Sequence, residues 1–142
     1  MKKITALTLF GAIVLSGAVA MAHVTPKAPS KFLSMENPID ELEEGTRPYK
    51  KAARLYKSKC KKCHGEDGDG QGSAAGDMVL KPTDFTTDGY FKRADGQLFW
   101  IIRDGSKDTE MKAFGPGSDV SLSEEQIWSL VTFMRMKFGG ED

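Results

Sequence analysis

Two cysteines and a histidine stand close together in the sequence, as Cys60-Lys61-Lys62-Cys63-His64. The chain has no other cysteine, and His64 is one of its two histidines. Two thiols at this spacing can each add to one vinyl group of a single porphyrin, and the following imidazole then lies close enough to bind the iron. C-x-x-C-H is the attachment signature of a c-type haem, whereas C-x-x-C alone would also suit zinc or a redox dithiol. We therefore predict one covalently attached haem c, with His64 as the proximal iron ligand.

The second axial ligand separates an electron carrier from a protein that binds gases or peroxide at an open site. The candidates beyond the N-terminal leader are Met35, Met78, Met111, Met134, Met136 and His23. Met134 falls on a helical pattern, where methionine is usually a core residue. Met78 follows His64 on a short tether, which makes the opposite face of the ring hard to reach. Met111 lies in a loop before Ala113-Phe114-Gly115-Pro116 and has no place in a helical core. We predict Met111 as the distal ligand, with Met78, His23 and the other methionines as alternatives.

The first 22 residues have the three regions of a secretory signal peptide. Met1-Lys2-Lys3 is positively charged, Ile4 to Ala20 is apolar, and Ala20-Met21-Ala22 offers a small-x-small cleavage pattern. An uncleaved membrane anchor is the alternative, but the apolar run is short for a span of about 20 residues. We expect cleavage after Ala22, export to the periplasm and no stable membrane span in the mature protein. In that oxidising compartment, both thiols are best explained as thioether links, without a disulfide.

The rest of the chain is organised as an irregular segment followed by one domain. Residues 23–45 contain Pro26, Pro29 and Pro38, which interrupt helices. Residues 46–142 are long enough for a single domain that contains the haem motif. Lysine and arginine total 20, as do aspartate and glutamate. Because there is no net basic field, the composition argues against nucleic-acid binding.

Three helices are predicted in that domain, and no strand. The first runs from about Thr46 to Cys60, with Thr46 as N-cap and a proline in the first turn. The second runs from Gly96 to Asp104, with Asp95 as its cap. The third begins at Ser123, which forms a capping box with Gln126, and stops at Gly139-Gly140. With this few helices, the haem itself must form much of the core of an all-α fold.

A glycine-rich run, Gly65 to Gly72, follows the haem motif directly. As a calcium loop it lacks the bidentate glutamate at the twelfth position, where Met78 stands. As a dinucleotide-binding fingerprint it lacks the G-x-G-x-x-G spacing and a preceding strand. We interpret its glycines as positions where the backbone turns tightly beside the flat macrocycle.

The sequence resembles the small monohaem class I cytochromes c over about residues 37–139. The resemblance rests on the haem motif and on the segments Lys81–Phe85, Gly96–Gly105, Met111–Gly115 and Leu122–Trp128. It implies a class I cytochrome c fold with three main helices and long loops around the haem. It also implies that Met111, in the M-x-A-F loop, is the distal ligand, and that a carbonyl near Pro82 accepts a hydrogen bond from His64. Two residues depart from the family pattern, Lys112 for proline after that methionine and Ala53 for glycine on the first helix.

The resulting functional expectation is a monomeric periplasmic one-electron carrier, not an enzyme. It would dock only transiently with redox partner proteins. Five lysines are expected near the haem edge to steer an acidic partner: Lys57, Lys59, Lys61, Lys62 and Lys112. Trp100 and Arg103 are considered as partners of the haem propionates. The alternative is a haem-based sensor or enzyme with a labile sixth coordination site, because Lys112 could leave the Met111 loop less rigid.

Overall fold

The structure is a computed structural model that describes residues 25–139. The predicted signal peptide, residues 1–22, and His23 lie outside the described residues. The helices, in order, are α1 (Ser30–Leu33), α2 (Arg47–Leu55), α3 (Lys61–His64), α4 (Asp88–Phe91), α5 (Asp95–Asp104) and α6 (Glu124–Phe138). Within residues 25–139 there is no strand, which agrees with the all-α prediction. None of the helices in this range is long and apolar enough to span a membrane.

The helical stretch before the haem motif is not one continuous α-helix. The sequence predicts an α-helix to Cys60, but α2 ends at Leu55 and a π-helical turn occupies Tyr56–Cys60 before α3 begins. Thr46 stands at the predicted N-cap position, but its hydroxyl donates to the carbonyl of Glu43 at 2.6 Å and does not cap the helix. Single π-turns inside helices frequently occur at functional sites. Here the turn directly precedes the two cysteines and the histidine.

The C-terminal helix begins where the sequence indicates. The Ser123 hydroxyl accepts from the Gln126 amide at 3.2 Å, and the Gln126 side chain accepts from the Ser123 amide at 2.9 Å. The predicted capping box is therefore confirmed. Helix α5 starts at Asp95, one residue earlier than predicted, with Ala94 at the N-cap position.

Helix α6 forms the centre of the core, with α2 and α5 packed against it. The ring centre of Tyr49, in α2, lies 5.4 Å from that of Phe133, and the ring centre of Tyr56, in the π-turn, lies 5.8 Å from it. Phe99 of α5 stacks on Trp128 at 4.1 Å. Such aromatic pairs add stability beyond their buried area. Helices α5 and α6 also carry part of the wall of the cleft described below.

The N-terminal segment, residues 25–45, packs along the domain as a strap. Apart from α1 and isolated turns it has no regular structure. Phe32 is buried and lies 6.3 Å from the ring of Phe99. The side chain of Gln97 accepts from the amide of Ala28 at 2.7 Å and donates to the carbonyl of Pro26 at 3.0 Å. These contacts tie the strap to α5.

Candidate functional site

One large cleft contains all four of the residues singled out from the sequence. Cys60, Cys63, His64 and Met111 line a space of about 1320 Å³, part of which is open to solvent. The remaining wall is mainly apolar and includes Phe85, Leu98, Ile101, Ile102, Phe114 and Leu130. The cleft therefore suits a mostly apolar group.

The glycine-rich loop holds the C-terminal end of α3, which carries the haem motif. Helix ends leave carbonyl groups without intrahelical partners. Three of these carbonyls accept from loop amides: His64 from Gly70 at 2.9 Å, Cys63 from Gly72 at 3.1 Å and Lys62 from Ala74 at 2.9 Å. The hydroxyl of Tyr56 also donates to the carbonyl of Gly65 at 2.9 Å. The loop therefore fixes the cysteines and the histidine relative to the cleft.

Two glycines of this loop are required by close backbone approach. A Cβ atom at Gly72 would overlap the carbonyl oxygen of Lys62 and lie 2.6 Å from that of Lys61. Gly70 has a φ of +74°, and a Cβ there would lie 2.6 Å from the carbonyl oxygen of Pro82. Glycine is the residue for positive φ and for such close approach. The run thus has a structural purpose that the sequence only partly indicated.

The tautomer of His64 is set by its surroundings. Its Nδ1 lies 3.2 Å from the carbonyl oxygen of Thr83, which can only accept, so Nδ1 carries the proton. Nε2 then keeps its lone pair for a metal. Burial lowers the pKa of His64, and the hydrogen bond to Thr83 acts in the opposite direction. The ring of Phe85 stacks on the imidazole, with 4.4 Å between the ring centres and 20° between the ring planes. His64 is therefore a neutral, oriented imidazole.

The two thiols differ from free surface cysteines. Burial, with a smaller contribution from the neighbouring Cys63, raises the pKa of Cys60 to about 12. Before the haem is attached, Cys60 therefore stays protonated at neutral pH, since the thiolate would be poorly solvated. Both side chains are partly buried in the cleft wall.

The loop that carries Met111 is hydrogen-bonded to itself on both sides of this residue. The Met111 amide donates to the Thr109 hydroxyl at 3.0 Å, and the Met111 carbonyl accepts from the Ser106 amide at 2.8 Å. Gly105, with a φ of +78°, starts the turn, and a Cβ there would lie 2.7 Å from the Met111 carbonyl oxygen. Lys112 is exposed at the cleft margin. The backbone on either side of Met111 is thus well defined despite the lysine at 112.

The other methionines separate into two groups. Met78 and Met134 also line the cleft, and Met134 is a buried core residue of α6, as its periodicity predicts. Met35 and Met136 instead line a separate polar cleft, and the Met136 sulfur accepts from the amide of Leu42 at 3.4 Å. Among residues 25–139, three methionines therefore remain near the haem motif.

Two polar atoms in the cleft wall have no hydrogen-bond partner among the described residues. They are the buried hydroxyls of Tyr90 and Ser106. Buried polar groups are normally paired, so these two mark places where a bound group would supply a partner. The sequence carries no signal for either one, because a single tyrosine or serine is ordinary in any segment.

Comparison with protein families decides the class of the chain. The family described as "Cytochrome C oxidase, cbb3-type, subunit III" matches residues 47–134, which is more than half of the chain. The chain belongs to this family of c-type cytochrome domains. Its cofactor is one covalently attached haem c, in agreement with the two cysteines of the C-x-x-C-H motif. No curated protein sequence matches this cytochrome significantly.

Three solved structures are similar to this cytochrome in fold. The first is the reducing HAO-like protein complex Kustc0457/Kustc0458 of Kuenenia stuttgartiensis, at 23% identity and TM-score 0.53, over 72% of this chain and 48% of that one. The second is the KustC0563 c-type cytochrome, at 25% identity and TM-score 0.46, over 60% of this chain and 94% of that one. The third is cytochrome cL from Hyphomicrobium denitrificans, at 20% identity and TM-score 0.42, over 77% of this chain and 62% of that one. This chain spans about half the length of the first match. The class I cytochrome c fold is confirmed by the family and the helical architecture.

The residues in the cleft fit haem c. Two thiols at the required spacing, one oriented imidazole and nearby thioether sulfurs supply the donor set that c-type haems use. The apolar walls match the macrocycle, and the unpaired hydroxyls of Tyr90 and Ser106 face a group with polar atoms of its own.

Proposed function

We propose that this cytochrome is an exported one-electron carrier, with the haem attached through Cys60 and Cys63 and ligated by His64 and Met111. The observation that carries the proposal is that these four side chains line a single cleft. When bound, haem c supplies reversible one-electron chemistry at its iron. The protein binds and orients it, excludes water from the cleft and holds the iron ligands in place.

His64 and Met111 would act as a fixed pair of ligands with different chemistry. Donation from His64 Nδ1 to Thr83 leaves Nε2 as the iron-binding atom and prevents the ring from rotating. The Met111 thioether is a soft ligand, and methionine ligation raises the reduction potential. The apolar wall of the cleft acts in the same direction, because it disfavours the additional charge of the oxidised iron.

Met111 is preferred over Met78 because of how each residue is tethered. The Ala74 amide is bonded to the carbonyl of Lys62, so the chain is still attached to α3 only four residues before Met78. This keeps Met78 near the side of the cleft that carries His64. Met111 reaches the cleft from a different loop. Both its backbone amide and its carbonyl form hydrogen bonds within that loop.

An electron carrier is also favoured over a sensor or enzyme. His64 is the sole histidine in residues 25–139, so the described part of the chain has no second imidazole for acid–base chemistry at an open site. The experiment that tests the proposal is an optical redox titration with and without carbon monoxide. A carrier with both axial positions filled gives one reversible one-electron curve that the gas does not move.

Export and domain organisation are part of the same proposal. Residues 1–22 would be a signal peptide removed after Ala22, residues 23–45 the N-terminal strap segment and residues 46–142 the cytochrome domain. The contacts of Ala28 and Phe32 with α5 support a strap that remains with the mature protein. Intact mass of the periplasmic protein would identify His23 as the first residue.

Basic residues at the cleft margin would steer an acidic redox partner. Lys59 and Lys112 line the cleft and are exposed, whereas Lys61 is paired with Glu66. We predict that the double variant Lys59→Glu/Lys112→Glu exchanges electrons with an acidic partner about tenfold more slowly at low ionic strength. Stopped-flow kinetics measures the rate and its dependence on salt.

The matched control for this prediction is Lys27→Glu/Lys137→Glu, which makes the same change in net charge at exposed positions that do not line the cleft. The control is expected to change the rate less than the cleft-margin pair. Equal effects of the two double variants would mean that only net charge matters and that the cleft margin is not the docking surface.

A further inference from the structure

The hydroxyl of Tyr90 is a hydrogen-bond donor without an acceptor. The side chain is only 2% exposed and lines the haem cleft, and its hydroxyl has no partner among residues 25–139. The ring packs against Phe85 at 4.7 Å and edge-on against Phe91 at 5.3 Å, between ring centres, so it cannot turn towards solvent. Burial raises the pKa of Tyr90, although Arg135 and Arg93 act in the opposite direction. The hydroxyl is therefore protonated and available to donate.

A cation without a salt-bridge partner among the described residues lies over the ring that carries this hydroxyl. The guanidinium carbon of Arg93 is 5.9 Å from the centre of the Tyr90 ring, and Arg93 lines the same cleft. Among residues 25–139 no carboxylate lies within salt-bridge distance of Arg93. Its backbone is fixed, because its amide donates to the Tyr90 carbonyl at 3.1 Å and its carbonyl accepts from Arg135 at 2.6 Å. Arg93 therefore stays next to Tyr90.

The neighbouring arginine is already used, which leaves Arg93 as the free charge. Arg135 forms an ion pair with Asp95 at 2.5 Å and donates to the carbonyl of Phe91 at 2.8 Å. A water molecule could accept from the Tyr90 hydroxyl, but it would not neutralise Arg93. A carboxylate satisfies both groups, and hydrogen bonds to an ionised acceptor are about twice as strong as neutral ones.

We propose that the Tyr90 hydroxyl and the Arg93 guanidinium bind one propionate carboxylate of the haem. The cleft that both residues line is the haem site, and the propionates are the anionic groups that haem brings into it. The inference rests on haem c as the cofactor and does not depend on Met111 as the distal ligand. Tyr90 and Arg93 are positioning residues that fix the orientation of the group through its carboxylate.

This assignment replaces the expectation from the sequence, which considered Trp100 and Arg103. Neither residue lines the cleft. Arg103 donates from two nitrogens to Asp104, at 2.8 and 3.0 Å, and its guanidinium lies 4.4 Å from the ring centre of Phe32. Arg103 thus holds the strap instead of a haem carboxylate.

The first test is the sign of a stability change in the haem-loaded protein. Tyr90→Phe removes one oxygen and keeps the ring. If the hydroxyl donates to a carboxylate, the unfolding equilibrium constant rises roughly tenfold to a hundredfold. If the hydroxyl is unpaired, the phenylalanine variant is equally stable or more stable, because a buried unpaired group is removed. Guanidinium chloride unfolding followed by circular dichroism measures the constant.

Tyr49→Phe is the matched control for this test. The Tyr49 hydroxyl donates to Glu44 at an exposed position, 3.2 Å away. Its removal should change the unfolding constant by less than about threefold.

The second test identifies the acceptor. Redox-difference infrared spectra are recorded on protein whose haem carboxylates carry ¹³C, which separates their bands from those of Asp and Glu. The labelled band should shift in Tyr90→Phe and in Arg93→Gln, and remain unchanged in Tyr49→Phe. A destabilised Tyr90→Phe variant with an unchanged labelled band would assign the acceptor to water or a free anion and overturn the proposal. An unchanged or increased stability of Tyr90→Phe would also overturn it.

The two proposals fail separately. Tyr90→Phe should keep the optical spectrum of the axial ligands, whatever its effect on stability. A wrong assignment of Met111 would change the interpretation of that spectrum and leave the labelled carboxylate band unaffected.

Discussion

Replacing Met111 by alanine is expected to abolish the sulfur-to-iron charge-transfer band and to open the sixth coordination position. Alanine has no atom that can reach the iron, and no other residue of the 105–118 loop supplies a soft ligand. If the wild-type site is open about 1% of the time, carbon monoxide should bind the reduced variant roughly a hundredfold more tightly. The reduction potential should fall, because methionine ligation raises it.

Met78→Ala is the control for this variant, since Met78 also lines the cleft. It removes an equivalent side chain from the segment that is tethered to α3, and it should keep the charge-transfer band. Survival of the band in Met111→Ala together with its loss in Met78→Ala would reverse the assignment. Low-temperature optical spectra of both variants, at equal haem content, provide the comparison.

Replacing Gly72 by alanine is expected to destabilise the folded cytochrome by about 3 kcal/mol, the upper part of the range for overpacking in a rigid site. The new methyl group would overlap the carbonyl oxygen of Lys62, which is backbone and cannot move away without disturbing α3. The bond from the Gly72 amide to the Cys63 carbonyl would be lost as well. Denaturant unfolding of the haem-loaded variant gives the free energy.

Gly76→Ala provides the matched control, because a Cβ at Gly76 would meet no atom within 4 Å. Its effect should stay within about 0.5 kcal/mol, as for most surface substitutions. If both alanine variants were equally stable, the loop could move away from α3 at little cost. The idea that it holds the haem motif in place would then be wrong.

Local sequence patterns predicted the features that depend on neighbouring residues. The capping box at Ser123 needs only Gln126 three positions later, and the haem motif is contained in five residues. Both patterns involve only neighbouring residues, so they can be recognised in the sequence without knowledge of the fold. The C-terminal helix accordingly begins at Glu124, directly after the predicted N-cap Ser123.

Features that depend on tertiary contacts could not be read in the same way. The π-turn at Tyr56–Cys60 has no signature in its sequence, and its Tyr56 hydroxyl is bonded to the carbonyl of Gly65 on the far side of α3. The strap contacts at Gln97 join residues about 70 positions apart in the sequence. Tyr90 and Arg93 became candidates only when the structure showed that they share one cleft and lack partners.

Gly65 to Gly72 illustrates the boundary between the two cases. The sequence predicts a tight turn here. It argues against a calcium loop, because the twelfth position of such a loop lacks the glutamate. It could not indicate that Gly70 and Gly72 approach the carbonyl oxygens of Pro82 and Lys62, since those contacts require two segments to meet in space. The haem motif can be recognised from five consecutive residues, whereas the loop contacts that hold it in place depend on the fold.

The central claim is that both axial positions of the haem iron are filled during electron transfer. An optical redox titration of the wild-type protein, repeated under carbon monoxide, tests it most directly. A gas that binds only the reduced form must raise the midpoint potential, because ligand binding stabilises the state that binds it. We predict two superimposable, reversible one-electron curves. A midpoint that rises steadily with carbon monoxide concentration would contradict the claim and favour a sensor or enzyme with an open site.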